Sequence, residues 1–214
     1  MLRLAQVHIA AVRWLQLAAA SMLLCAGFGP HFAAQAKGFS TYTSTAAKDC
    51  RVISAGTEVD DSTIRLCPGQ AGLVVLVSEA DLRETVSVGR TRSAAAGEPA
   101  AHVWFGPFNS TTTTVEWRAA DRNRPFAIIQ RWHIADNGDQ DNDGRPIAKP
   151  MLVVTRLPPG PVCHVAYIDV KANPDANALA RKAADDTARD FKCGEDEVKV
   201  VGANGRAVEL VLRR

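Results

Sequence analysis

Five cysteines punctuate this 214-residue chain. Four of them, Cys50, Cys67, Cys163 and Cys193, lie in the part expected to fold, and none has the C-x-x-C spacing of a zinc or redox site. Four cysteines allow three pairings. Cys50–Cys67 and Cys163–Cys193 are favoured because each closes a modest loop between neighbouring elements. A bridge of this kind contributes about 2–4 kcal/mol, mainly by restricting the unfolded chain. Such bridges persist in an oxidising compartment, so the chain is expected outside the cytoplasm, in the periplasm or secreted.

The N-terminus agrees with that expectation. Arg3 and Arg13 are followed by an apolar run from Trp14 to Phe28, and no Lys, Arg, Asp or Glu occurs between Arg13 and Lys37. Pro30 and the small-residue site Ala34-Gln35-Ala36 complete the pattern of a secretory signal peptide over residues 1–36. The alternatives are a retained anchor, which Gln16, Ser21, Pro30 and His31 disfavour, and a lipoprotein at Cys25, which the bulky Leu24 disfavours. Membrane contact is therefore expected only through this leader. Of the 25 basic residues, Arg3 and Arg13 leave with it while all 23 acidic residues remain, so the processed chain is formally neutral. Nothing in that balance suggests a nucleic-acid partner.

The reading that follows is a flexible lead-in over residues 37–48 and one disulfide-stabilised α+β domain over residues 49–214. From Cys50 to Asp169 short alternating or apolar runs are separated by turn residues, the pattern of a mostly antiparallel sheet or sandwich. Strands are expected near residues 51–54, 63–67, 73–78, 84–88, 102–105, 113–118, 126–133, 151–157 and 162–170. Gly89 to Pro99 lacks a periodic apolar face and reads as a mobile loop. One C-terminal helix is expected over about residues 174–192, capped by Asn173, with Ala176, Leu179, Ala180, Ala183, Thr187 and Phe191 inward and Arg181, Lys182, Asp185, Asp186 and Arg189 toward solvent. Asn204-Gly205 then predicts a final hairpin pairing Val198–Val201 with Ala207–Leu212.

The sharpest local feature is the acidic run from Asp136 to Gly144. Asp139, Asp141, Asp143 and Gly144 match positions 1, 3, 5 and 6 of a calcium loop, but position 12 is Pro150 and no helices flank it. The run therefore reads first as an acidic hairpin tip and second as a calcium site that would make the chain an interaction module. No other cofactor is implied. His102, His133 and His164 would bind zinc only if all three converged. Dispersed candidates for acids, bases or ion pairs are Asp81, Arg83, Glu84, Glu116, Arg118, Arg131, His164 and Asp169. There is no G-x-S-x-G, H-E-x-x-H, P-loop or G-x-G-x-x-G. Trp104, Phe108, Trp117 and Arg118 form a binding surface if they share an exposed face, although aromatic residues of this kind are more often core. Asn109-Ser110-Thr111 is formally a glycosylation acceptor.

The pieces Cys67-Pro68-Gly69, Asp81-Leu82-Arg83, Gly106-Pro107-Phe108-Asn109, Val115-Glu116-Trp117-Arg118, Arg124-Pro125-Phe126, Cys163-His164-Val165-Ala166-Tyr167-Ile168-Asp169 and Asn173-Pro174-Asp175-Ala176-Asn177 together resemble a group of uncharacterised exported proteins of alphaproteobacteria. The resemblance implies a periplasmic setting and brings no activity with it. The functional expectation is a non-catalytic binding or structural protein of the envelope, whose partner is an envelope protein or glycan. An envelope hydrolase acting on cell-wall glycans through dispersed carboxylates is the alternative.

Overall fold

The computed structural model describes residues 38–54 and 62–212. The expected signal peptide lies outside the described residues. Among the described ones, ten strands form one hydrogen-bonded sheet in the order β10-β9-β8-β7-β6-β5-β4-β3-β2, with β1 added beside β6. Their ranges are β1 Phe39–Ser44, β2 Arg51–Ser54, β3 Thr63–Pro68, β4 Val74–Ala80, β5 Arg83–Gly89, β6 Asn109–Ala119, β7 Pro125–Gln140, β8 Pro146–Arg156, β9 His164–Asp169 and β10 Lys199–Val200. Most pairs are antiparallel, but β5–β6 and β9–β10 are parallel, so the sheet is mixed.

Strand β5 pairs with β6 only at Arg83 and Asn109, whereas β1 runs along the second half of β6 from Thr114 to Ala119. Two layers result, hinged at Asn109. Its side-chain amide donates to the Glu84 carbonyl (2.8 Å) and accepts from Phe105 N–H (3.0 Å), tying β5 to the segment before β6. Between the layers lies the larger core, where Val75, Val77 and Val88 meet Val115, Trp117, Trp132, Met151 and Val153. Alternate residues on the far side of β7, β8 and β9, among them Ile129, Leu152, Val154 and Ile168, form a second core under helix α2, Ala176–Thr187. Side chains alternate along each strand, so burial on both faces requires nearly continuous apolar runs such as Met151–Val154.

Both disulfides are the expected ones, Cys50–Cys67 and Cys163–Cys193. Several other expectations are corrected. Phe39–Ser44, expected within a flexible lead-in, is strand β1, and its Thr43 hydroxyl accepts from the Trp117 indole N–H (2.8 Å). Val103 to Phe105 is not a strand. The segment read as a loop after Gly89 contains helix α1, Arg92–Ala96, capped by the Thr91 hydroxyl accepting from Ala94 N–H (3.1 Å). Its small residues permit a close approach that no apolar periodicity announces: a Cβ on Gly89 would lie 2.5 Å from the Ala95 nitrogen.

The expected final hairpin is absent. Arg206–Leu212 is helix α3, and β10 runs parallel to β9. As a strand, this segment would place Glu209 on the same face as Ala207 and Val211. As a helix it buries Ala207, Val208 and Val211 together and leaves Glu209 beside Arg206 (3.4 Å). Buried Asp169 accepts from Ala207 N–H (2.9 Å) and Ala172 N–H (2.8 Å). At Gly205 a Cβ would sit 2.4 Å from that carboxyl carbon, so the glycine serves the close contact rather than a hairpin turn.

Helix α2 is shorter than expected. Asn173 holds the following chain instead of capping it, donating to the Asp169 and Ala203 carbonyls and accepting from Ala203 N–H. Arg181 and Asp185 do not face solvent alone. Arg118 of β6 grips Asp185 through Nε and Nη2 (2.6–3.0 Å), and Arg181 reaches Glu116 (2.6 and 3.2 Å). Residues i and i+2 of a strand thus meet residues i and i+4 of a helix in crossed charge order. The Arg118–Asp185 pair is buried. Removing one partner leaves a desolvated charge, so Asp185→Ala is expected to cost roughly 3–5 kcal/mol in denaturant unfolding. The double replacement Arg118→Met with Asp185→Leu is expected to cost clearly less. Equal losses in the two variants would mean that the charge pairing does not hold the helix.

Candidate functional site

Trp104, Phe108, Trp117 and Arg118 do not share a face. Trp117 is fully buried in the larger core, and Arg118 points from the other side of β6 to α2. Trp104 and Phe108 flank the Arg83 guanidinium, at 4.7 and 5.5 Å from its carbon to the ring centroids. Asn109, the formal glycosylation acceptor, is buried with its amide engaged. The acidic hairpin tip is exposed, and its carboxylates go to separate partners. Asp139 pairs with Lys149, Asp141 accepts from the N–H groups of Asp143 and Arg145 (both 2.9 Å), and Asp143 pairs with Arg145 (3.4 Å). No three His, Cys, Asp or Glu side chains gather as a metal site among the described residues.

The buried carboxylates are matched with equal completeness. Glu84 accepts from Arg65 (2.7 Å), Thr111 N–H (2.5 Å) and the Thr111 hydroxyl (2.8 Å). Glu116 has Arg181 and the Ser40 hydroxyl, and Asp136 has Gly138 N–H and both Nε and Nη2 of Arg206 (2.6 and 2.8 Å). The Arg206 guanidinium holds the Asp136 carboxyl down to about 2, against the opposing effect of burial. His133 lies half-buried on β7, and His102 ends a 3₁₀ turn. His164 is buried apart from them, stacked on Phe105 and surrounded by Trp132 and Tyr167. Its Nδ1 lies 3.2 Å from the Tyr167 hydroxyl, and its Nε2 has no hydrogen-bond partner among the described residues. Burial lowers its pKa to about 4.

One concave surface breaks this pattern of matched charge. At one end of the two layers, the β3–β4 turn, the end of β5, the β6–β7 turn, the β8–β9 loop and the residues after α2 enclose a groove of about 630 Å³. Among the described residues, its ionisable lining side chains are Arg90, Arg124, Arg156 and Arg189, with no carboxylate. The floor is apolar, formed chiefly by Leu73, Phe126, Leu157 and Pro158.

Each arginine is placed by a different contact. Arg156 closes β8 and is buried, donating to the carbonyls of Pro159 (2.7 Å), Pro161 (3.1 Å) and Ala188 (3.3 Å). Arg189 lies 3.6 Å over the Phe126 ring and donates to the Asp185 carbonyl (3.2 Å). Arg124 pairs with Asp121 in the exposed β6–β7 turn, and Arg90 is exposed at the end of β5. The Cys163–Cys193 bridge joins the loop after Arg156 to the segment after Arg189.

A larger cavity of about 800 Å³ lies between β1, β6 and α2, but its Arg118, Arg181 and Lys182 are offset by Asp185, Asp186 and neighbouring Glu116. Among the dispersed candidate residues, none of Asp81, Arg83, Glu84, Glu116, Arg118, Arg131, His164 or Asp169 lines the arginine groove. The arginines that do were not singled out as a set, because they lie more than thirty residues apart in sequence and share no spacing. No protein family, curated protein or solved structure matches the chain.

Two of the shifted groups, His164 and Asp136, give separate acid windows, and half-buried His133, lowered by burial and by Arg131, adds to the first. A histidine whose pKa falls on folding stabilises only while neutral, so the His164 contribution is complete above about pH 6.5 and is lost as pH falls toward 4. The lost stability amounts to about 3 kcal/mol. Asp136, lowered from 3.8 to about 2, loses its contribution only below that range, as pH falls through 3.8 toward 2. The slope of stability against pH is expected to fall between 6.5 and 4 in His164→Phe, with His133 supplying what remains. An unchanged slope in that variant would remove His164 as the cause.

Proposed function

We propose that the chain is an exported, non-catalytic binding protein of the bacterial envelope that holds an anionic ligand in the arginine groove. The observation that carries this reading is the groove itself, a concavity of ligand-sized volume whose lining charges all have one sign. Arginine remains charged at any physiological pH and presents a planar fork suited to oxyanions. The leader pattern of residues 1–36, the disulfides and the resemblance to exported alphaproteobacterial proteins support the compartment. Among the described residues, no helix is long and apolar enough to cross a membrane.

Two other readings have less support. A hydrolase needs a carboxyl free to move a proton at a cleft, whereas Glu84, Glu116, Asp136, Asp169 and Asp185 each commit both oxygens to protein donors. A calcium-stabilised module needs Asp139, Asp141 and Asp143 to converge, and each already serves another group.

Thermal unfolding of residues 37–214 with phosphate-bearing, carboxylate-bearing and neutral sugars tests the reading. An anion at 100 times its dissociation constant adds about 2.7 kcal/mol. The expected result is an upward shift with anions only, weakened by added salt and by the double replacement Arg90→Gln with Arg189→Gln. Equal shifts with neutral sugars, or none with any anion, would overturn it. Mass analysis of the protein recovered from the periplasm is expected to show Lys37 as the first residue.

A further inference from the structure

We infer that the ligand of the arginine groove is a compact phosphoryl polyanion, a diphosphate or a pair of phosphates, attached to an apolar body. The inference rests on the reading of the groove as an anion site and adds the chemistry of its occupant. It begins with charge. Asp121 offsets Arg124 from the adjoining turn, and within the lining no acid offsets Arg90, Arg156 or Arg189. A single carboxylate would leave most of that charge uncompensated. A phosphoryl group brings about −1.5 to −2 and three acceptor oxygens, so two of them match three or four guanidiniums.

Compactness follows from the layout. The four arginines line one half-open groove of about 630 Å³, each from a different segment. An acidic polysaccharide spreads its carboxylates along a chain and suits a track. Arg156 supplies the strongest local argument. It is only 8% exposed, yet its partners are the Pro159, Pro161 and Ala188 carbonyls, which orient the guanidinium without supplying a counter-charge. Its nitrogens are all engaged by these carbonyls and by Cys193 Sγ, so it acts on a bound anion through its unneutralised charge. The choice of arginine at all four positions, with no lysine in the lining, favours the fork geometry that phosphoryl oxygens accept.

The apolar body follows from the floor. Leu73, Phe126, Leu157 and Pro158 present a hydrophobic surface continuous with the arginine rim, and Arg189 lying over Phe126 joins the two. A bare inorganic anion would leave this surface wet. A ligand with hydrocarbon next to its phosphoryl group would cover it.

Titration calorimetry on residues 37–214 with both disulfides intact decides the matter, using inorganic pyrophosphate, geranyl diphosphate and the compact tricarboxylate tricarballylate as probes. Geranyl diphosphate is expected to bind at one site and at least about tenfold more tightly than pyrophosphate, and pyrophosphate at least about tenfold more tightly than tricarballylate. Arg90→Gln, which changes an exposed residue, is expected to weaken geranyl diphosphate by about tenfold while leaving the unfolding midpoint unchanged, and Arg189→Gln to weaken it similarly with a small loss of stability from its Phe126 and Asp185 contacts. Tricarballylate binding as tightly as pyrophosphate would overturn the phosphoryl assignment and leave an anion site standing. Equal affinity for the two diphosphates would overturn the apolar body. If none of the three probes binds, the reading of the groove as an anion site falls with the rest.

Discussion

Strand β6 is committed on both faces, and the architecture is arranged around that requirement. Val115 and Trp117 enter the core between the two β layers, while Glu116 and Arg118 turn to the opposite side and meet Arg181 and Asp185. A strand alternates strictly, so neither set can move without the other. Its first half borders β5 at a single residue pair, and its second half accepts β1 in the space that β5 has left. The split between layers, the docking of α2 and the burial of Trp117 under Thr43 therefore share one register.

How much of this was legible in the sequence depended on the range of the interaction. Most of the strands between Cys50 and Asp169 follow from local alternation and turn residues, and the disulfides join elements that are near in sequence. Where the deciding contact was distant, the reading failed. Phe39–Ser44 carries no strong strand pattern and is ordered by β6, some seventy residues away. Arg206–Leu212 is helical because Asp169 meets its first turn and because only a helix segregates Glu209 from the valines. Arg181 and Asp185 looked like solvated helix residues because their partners Glu116 and Arg118 lie on a strand that the helix pattern cannot reveal.

The candidate site was illegible for a related reason. Arg90, Arg124, Arg156 and Arg189 each stand at the end of an element, and only the topology brings those ends to one side of the molecule. The residues that attracted attention were conspicuous locally, as an acidic run or a cluster of aromatics, and both are accounted for by the fold. Asp141 orders its own turn, and Trp117 fills the core. Locally conspicuous chemistry here stabilises the structure, whereas like charges, of which only Arg124 is paired, collect where no motif marks them. That accords with a general expectation: natural proteins break the rule of paired buried charge at sites kept for something else.

The Cys163–Cys193 bridge has a consequence beyond stability. The loop after Arg156 and the segment after Arg189 both border the groove, where Arg156 Nε donates to the Ala188 carbonyl (3.3 Å), and the sulfur link ties the same two segments covalently. The spacing of two of the four guanidiniums is thereby set by oxidation as well as by packing. In a reducing compartment the same two segments would be held by hydrogen bonds alone, the Arg156–Ala188 contact among them, against the repulsion of like charges.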